Sequence, residues 1–515
     1  MSATPGYAAE AGQALPVLEV DRRLEQETHV EPARSSKGRW QKFVSWIWDA
    51  DFYEKSDAER ALVFKLDCFM LASLTIGWWI KNLDQSNLSN AYISGMKEDL
   101  NINGNQYTYM LSIYAAVVAA MQVPSNFIVM KIRPRYLLAA SEILWGIFTF
   151  AQAGAHSYQA MYGFRFCVAL FESMYYPVAF FLLGSWYTKP ELGKRISLWF
   201  IAGPAGSAFS GYMQAGIYKG LNGTAGLAGW RWLYVICGII TLPLGFLTFF
   251  LLPDFPENTQ TWWLTQEQKE LARERMTRSG AAKVTSKINW KVVRDTMKNW
   301  KFWTLVPWYT FYSLEAVTGR QFGIYLKAFK YSVSDRNNLP ATSSVITIVS
   351  LIIFSYISDR TVKYGRGWFI GLVLFWAILP NAVLAFWTNS NSLRVAAFLA
   401  NGTTYVTPIF FAWIADICST GYMDPSQRAF ITGATTCLWY TTDAWLPTII
   451  FKQTDGPRFK KGFITSWIAG IIAFLLVPLI HILQQRDGRR AAIKAEEESR
   501  EVASARSYED VDNKE

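Results

Sequence analysis

The chain has 515 residues, 51% hydrophobic and 16% aromatic but only 17% charged, against ~25% charged in soluble domains. Its formal net charge of +10 comes from basic residues that gather where apolar runs end, as the positive-inside bias predicts, and not along a face suited to nucleic acid. These facts exclude a soluble globular protein and a nucleic-acid binder, and leave a protein of the lipid bilayer with solvated ends.

Residues 1–60 form a polar tail of mixed charge, too polar up to Trp40 to bury a core. The run WQKFVSWIWDADFY suits the membrane interface, where Trp and Tyr are favoured. The first 40 residues contain no apolar segment of signal-peptide type, so the first span is expected to act as its own targeting signal. With ~20 apolar residues needed per span, hydropathy predicts helices at about 64–93, 106–130, 136–154, 160–185, 195–218 and 231–252. Six more are predicted at about 302–326, 341–358, 368–388, 394–416, 428–450 and 463–484.

This gives five regions: an N-terminal tail at 1–60, a six-helix bundle at 61–252, a linker at 253–300, a second six-helix bundle at 301–485 and a C-terminal tail at 486–515. In the linker, Thr265 and Gln268 fit a capping box that opens an amphipathic helix. The basic residues of both tails, of the linker and of Lys131, Arg133, Arg135, Lys189, Lys194, Arg195, Arg360, Lys363 and Arg366 fall on one side. That side is expected to be cytoplasmic. Cys68, Cys167, Cys237, Cys418 and Cys437 lie in or beside apolar runs without paired spacing, which suits neither a disulfide framework nor a metal site.

The fourth span, YGFRFCVALFESMYYPVAFFLL, carries Arg165 and Glu172. Each charge costs roughly 2.5–3.5 kcal/mol in a membrane helix, so each needs a partner or a task. They are two turns apart on one face, roughly 10 Å along the axis, and suit an anion at one and a proton at the other. Glu315, Arg320 and Asp443 are further charges within spans. Glu315 and Arg320, five apart, share a face poorly. Trp308, Tyr309, Tyr312, Asn401, Tyr405, Trp439 and Tyr440 are candidates to line a cavity or to pack in the core. In the fifth span, Gly203, Ser207 and Gly211 make a small-residue stripe for close helix packing.

Twelve spans in two sixes, a long linker and the loop SYISDRTVKYGRGW together resemble the major facilitator superfamily. NLDQSNLSNAYISGMKEDL resembles the first-helix signature of its anion:cation symporters, with Asp84, Asn87 and Ala91 in register, and is similar to fungal permeases for pantothenate and biotin. RFCVALFES, LGSWYTKPELGKRISLWF and WRWLYVICG resemble further motifs of that family. Gln85 stands where most of the wider family has Arg, which removes a cation from the first helix and leaves Arg165 as the chief cation of this half.

The resemblance implies an all-α integral membrane protein of the major facilitator fold. Arg165 would bind the substrate carboxylate, with Gln85, Asn87, Tyr312, Asn401 and Tyr405 in the binding site. Asp84 and Glu172 would be protonation sites, because burial favours the neutral acid and either could neutralise Arg165 until protonated. Asp359 and Arg360 would form a gating pair in the cytoplasmic loop.

The expected function is proton-coupled import of a small organic carboxylate across the plasma membrane, pantothenate ahead of biotin, by a monomer with both termini cytoplasmic. It needs no cofactor or metal. An exporter of an anionic metabolite and a non-transporting nutrient receptor remain as alternatives. An enzyme is weaker still, since the three His residues stand in no catalytic motif.

Overall fold

Away from water each backbone N–H and C=O must be bonded within its own segment, which a helix achieves. The apolar runs accordingly fold as long helices in a computed structural model that describes residues 55–278, 290–362, 365–419, 423 and 425–512. Most of the N-terminal tail, with the aromatic interfacial run up to Glu54, lies outside the described residues, as does Lys363.

The first half comprises α1 (Asp57–Asp99), α2 (Gln106–Lys131), α3 (Pro134–Ala151), α4 (Tyr158–Trp186), α5 (Lys189–Leu221) and α6 (Gly229–Leu251). Two short helices follow, α7 (Gln266–Arg278) and α8 (Trp290–Met297). The second half opens with α9 (Trp300–Ala316), which continues through a 3-10 turn at Val317–Gln321 into Phe322–Ala328. It is completed by α10 (Val333–Arg360), α11 (Arg366–Ala385), α12 (Asn391–Ser419), α13 (Pro425–Ile450) and α14 (Lys460–Asp512).

Among the described residues nine of these helices are long and apolar enough to cross a membrane. The other three long ones are α5 and α13, whose sequences are diluted with Gly, Ser and Thr, and α9, which is interrupted by its 3-10 turn. All three are packed against spanning helices: α5 on α1 and α10, α13 on α2, and α9 on α14. The expected boundary at 485 is not marked by a break, because α14 runs on through it to Asp512.

Buried apolar side chains gather half by half. One cluster draws only on Leu305 to Ile480, and two others only on Leu62 to Ala272. The halves meet where α5 packs on α10 and α2 on α13. Gly206, and Gly211 of the small-residue stripe, make close approaches of α5 to its neighbours possible. A Cβ on Gly206 would lie 2.1 Å from the Trp79 carbonyl oxygen of α1, and one on Gly211 would lie 2.8 Å from the Ala341 side chain of α10.

The two halves are also hydrogen-bonded together at one end of the molecule. Lys327 pairs with Glu98 at 2.8 Å, Asn337 donates to Ser94 Oγ at 2.9 Å, and the Gln453 side chain donates to Thr108 Oγ1 at 3.3 Å. At this end α1 makes a π-turn, Tyr92–Met96, where Gly95 takes φ +122°, a conformation that favours glycine.

At the opposite end of α1 a second π-turn, Asp67–Leu71, offers Asp67 to Arg195 at 2.6 and 2.8 Å. Glu191, one turn before Arg195, accepts from Arg275 of α7 at 2.7 Å, with both side chains buried. The capping box of α7 is formed in both directions, from Thr265 N to Gln268 Oε1 and from Gln268 N to Thr265 Oγ1, each at 3.3 Å. The helix thus docks on protein through Ala272 and Arg275. At the end of α10, Asp359 pairs not with Arg360 but with Arg366, at 2.6 Å, and Arg366 also holds Asp416 at 2.9 Å. The Arg360 guanidinium lies over the Tyr356 ring at 5.0 Å. Arg366, the first residue of α11, reaches both carboxylates, whereas Arg360 points along its own helix.

Candidate functional site

A cavity of about 450 Å³ lies between the halves, lined from α1, α2, α4 and α5 on one side and from α9, α12 and α13 on the other. That is within the ~300–1,000 Å³ of small-molecule sites. On α1 the lining residues include Lys81, Gln85 and Ser89, spaced four apart and therefore on one face. On α4 the regular helix stops at Glu172 and resumes at Tyr175. Pro177 accounts for the break, because it lacks an N–H and crowds the carbonyl of Ser173, four residues back.

Glu172 stands at the centre of the N-terminal wall, buried. Its Oε2 accepts from the Tyr114 hydroxyl at 2.8 Å and from the Gln85 side-chain amide. Tyr114 in turn accepts from Lys81 Nζ at 3.3 Å, and the Gln85 amide oxygen accepts from Arg165 Nη2 at 3.3 Å. The acid therefore reaches each of two cations through a neutral side chain. Arg165 also lies over the Tyr114 ring at 5.0 Å, and Lys81 over Trp78 at 5.0 Å. Glu172 Oε1 and Arg165 Nε are buried without a hydrogen-bond partner among the described residues.

The facing wall is built differently. Arg320, in the 3-10 turn that interrupts α9, donates through Nη1 to both carboxylate oxygens of Asp443, at 2.8 and 3.0 Å. Around this pair the lining is aromatic, with Tyr309, Tyr405, Phe411, Trp439 and Tyr440. Tyr440 also packs against the cluster of Tyr114, Val118 and Ala169 from the other half.

A helical bundle with a cavity lined by charges and aromatic rings between its two halves suits a carrier, and the sequence agrees. Residues 74–442 match the profile of the Major Facilitator Superfamily. The chain belongs to the major facilitator superfamily. This facilitator is 31% identical over 465 residues to the pantothenate transporter liz1 of Schizosaccharomyces pombe, covering 89% of this chain and 88% of the relative. It is 31% identical over 459 residues to the vitamin H transporter of Saccharomyces cerevisiae, covering 85% and 75%, and 30% identical over 441 residues to the pantothenate transporter FEN2 of the same yeast, covering 83% and 85%. Among solved structures, a bacterial homolog of the human lysosomal transporter Spinster aligns with a TM-score of 0.56 at 13% identity, over 85% of this chain and 99% of that one. The protein is a multi-pass membrane transporter for a small molecule, and not an enzyme.

The facilitator's cavity gathers Arg165, Gln85, Glu172 and Tyr405 of the residues expected there, and leaves out four. Asn87 is fully buried off the cavity, where its amide donates to Asp84 Oδ1 at 3.2 Å and its oxygen accepts from Ser210 at 2.9 Å. Asp84 shares that buried face and does not meet outer solvent. Tyr312 spends its hydroxyl accepting from the Val406 N–H at 2.9 Å, and Asn401 is held in a 3-10 turn beside Gly402, outside the lining.

The expected loss of a first-helix cation is also corrected. Lys81, one turn before Gln85, supplies one. Direct neutralisation of Arg165 by Glu172 or Asp84 is replaced by the Gln85 bridge. Of the C-terminal charges, Arg320 reaches the cavity, whereas Glu315 turns away to accept from Asn381 of α11. In sequence, Lys81 had a visible signal in its four-residue spacing from Gln85. Tyr114 had none, and Arg320 and Asp443 stood out only as separate costly charges within spans, with nothing to join them.

Proposed function

We propose that this facilitator is a proton-coupled symporter that imports a vitamin carboxylate, pantothenate first and biotin second, across the plasma membrane. The observation that carries the reading is Glu172 suspended between two cations by neutral relays. While Glu172 is ionised, its charge is shared through Tyr114 with Lys81 and through Gln85 with Arg165. A proton on Glu172 releases both cations, and a substrate carboxylate can then take charge-assisted bonds, bidentate from Arg165. Proton and anion favour each other's binding, and the coupling is reciprocal. The names of the fungal relatives supply the substrate class.

In this reading Arg165 and Lys81 hold the carboxylate, Gln85 and Tyr114 are relays, and Tyr405 belongs to the aromatic wall. Asp84, bonded to Asn87 behind the wall, is a second place for a proton that never touches substrate. The six-helix halves at 61–252 and 301–485 rock about the cavity, with both termini and the linker cytoplasmic and a monomer as the working unit. The bonded end of the molecule, around Glu98 and Lys327, is then the outer one, and the Asp359–Arg366 pair guards the inner one.

The test is uptake of labelled pantothenate into cells expressing the protein, at acid external pH, with and without a protonophore. Uptake that the protonophore abolishes supports the reading. Uptake indifferent to it removes the coupling, and accumulation that rises when the gene is deleted makes the protein an exporter.

A further inference from the structure

The proposed function uses one wall of the cavity, and the other carries a cation it does not employ. Arg320 is 43% exposed at its side chain, whereas its partner Asp443 is 8% exposed. Both Asp443 bonds go to a single nitrogen, Nη1, so Nε and Nη2 have no hydrogen-bond partner among the described residues. The guanidinium is held at one corner by the carboxylate and lies 5.9 Å from the Trp439 ring centre, and its 3-10 turn faces the cavity. An arginine has donors only, so what it can recognise here is an acceptor oxygen.

The charges lining the cavity are Lys81, Arg165 and Arg320 against Glu172 and Asp443. Three positive and two negative groups leave a surplus of one positive charge when all are ionised. A proton on Glu172 leaves Lys81 and Arg165 for the substrate carboxylate, whereas Arg320 stays balanced by Asp443, so a second carboxylate at that end would have no counter-charge.

We propose that Arg320, oriented by Asp443, is a second recognition point, for a carbonyl or hydroxyl oxygen at the far end of a monocarboxylate, so that one substrate bridges the two halves. The proposal rests on the reading that Arg165 and Lys81 take the carboxylate. The substrate class is then an elongated monoanion with a polar end remote from its carboxylate and an apolar body lying on Tyr309, Phe411 and Tyr440. A short carboxylate reaches only the first point, and a neutral analogue only the second. Bridging also makes closure of the halves depend on the whole molecule, because each end is held by a different half.

The test measures binding to the purified full-length protein of labelled pantothenate, with propionate and the neutral alcohol panthenol as competitors. Thermal unfolding serves as the control for folding. Arg320→Gln is expected to weaken pantothenate roughly tenfold and to leave competition by propionate unchanged, with Arg320→Lys falling between. Arg165→Gln is expected to weaken pantothenate and propionate alike. Unchanged pantothenate binding by Arg320→Gln overturns the second point, as does equal loss of pantothenate and propionate. Unchanged binding of both by Arg165→Gln overturns the carboxylate site instead, so the two failures are distinct. Asp443→Asn adds a surplus charge and is expected to admit succinate as a competitor; its continued exclusion would overturn the charge-balance argument.

Discussion

The two walls of the cavity hold their acids in opposite ways. Asp443 grips Arg320 directly with both oxygens, whereas Glu172 reaches Lys81 and Arg165 only through Tyr114 and Gln85. Removing Arg320 from its direct pair leaves the buried Asp443 carboxylate uncompensated, at a cost that solvent at the 43% exposed arginine side chain lowers below that of a fully buried pair. A relayed set can rearrange by turning one amide or one hydroxyl, at about 0.5–1.5 kcal/mol per neutral hydrogen bond. The difference suits the N-terminal wall to exchanging partners during a cycle and the C-terminal wall to holding a fixed donor.

The largest effect expected from attacking this contrast is at Arg165. Arg165→Ala should lower pantothenate uptake on the order of 100-fold, from about 2–3 kcal/mol of charge-assisted bonding, with expression unchanged on immunoblots. Wild-type uptake by that variant would remove its assigned role. Glu172→Gln keeps the relay's shape and removes its charge. It should still exchange substrate across the membrane but accumulate none against a gradient, and its rate should no longer follow external pH. A retained pH response would move the coupling proton elsewhere, with Asp84→Asn as the next variant to assay.

Smaller changes sharpen the comparison. Gln85→Leu removes the bridge between Arg165 and Glu172 and strands two buried polar partners, at about 1–3 kcal/mol, so KM should rise roughly tenfold. Arginine at the same position tests whether a third cation in this wall relaxes selectivity towards dicarboxylates, read by succinate competition. The smallest effect is expected at Lys327→Ala. Its partner Glu98 is 62% exposed at the side chain, so the pair is worth ~0.2–1 kcal/mol. A cysteine placed at Ser89 should become labelled less than about fivefold faster from outside, and no change would deny the pair a part in holding that end closed.

Helix α1 shows how far the sequence could be read. KNLDQSNLSNA contains two faces interleaved at helical spacing. Lys81, Gln85 and Ser89 look into the cavity, while Asp84, Asn87 and Ala91 are buried away from it. The signature residues that carried the family resemblance therefore belong to the packing of the half, and the residues one step along the helix belong to the site. The period of the helix separates the two sets, but only the neighbouring helices decide which set faces inward. Arg165 and Glu172 were legible because charges are costly in a membrane span and demand a reason. Tyr114 was not, since an aromatic residue in an apolar run is ordinary.

The sequence by itself determined that the chain crosses the bilayer, where its helices run, where its linker helix begins and that the fourth span holds two charges in need of partners. Those conclusions follow from local quantities: apolar length, capping residues and the cost of a buried charge. Only the tertiary structure decided that Gln85 joins Arg165 to Glu172, that Lys81 restores the first-helix cation, and that Arg320 and Asp443, 123 residues apart, face them across one cavity. Contacts between distant segments depend on how the helices of each half rotate and pack against each other, and no local property of the chain encodes that rotation.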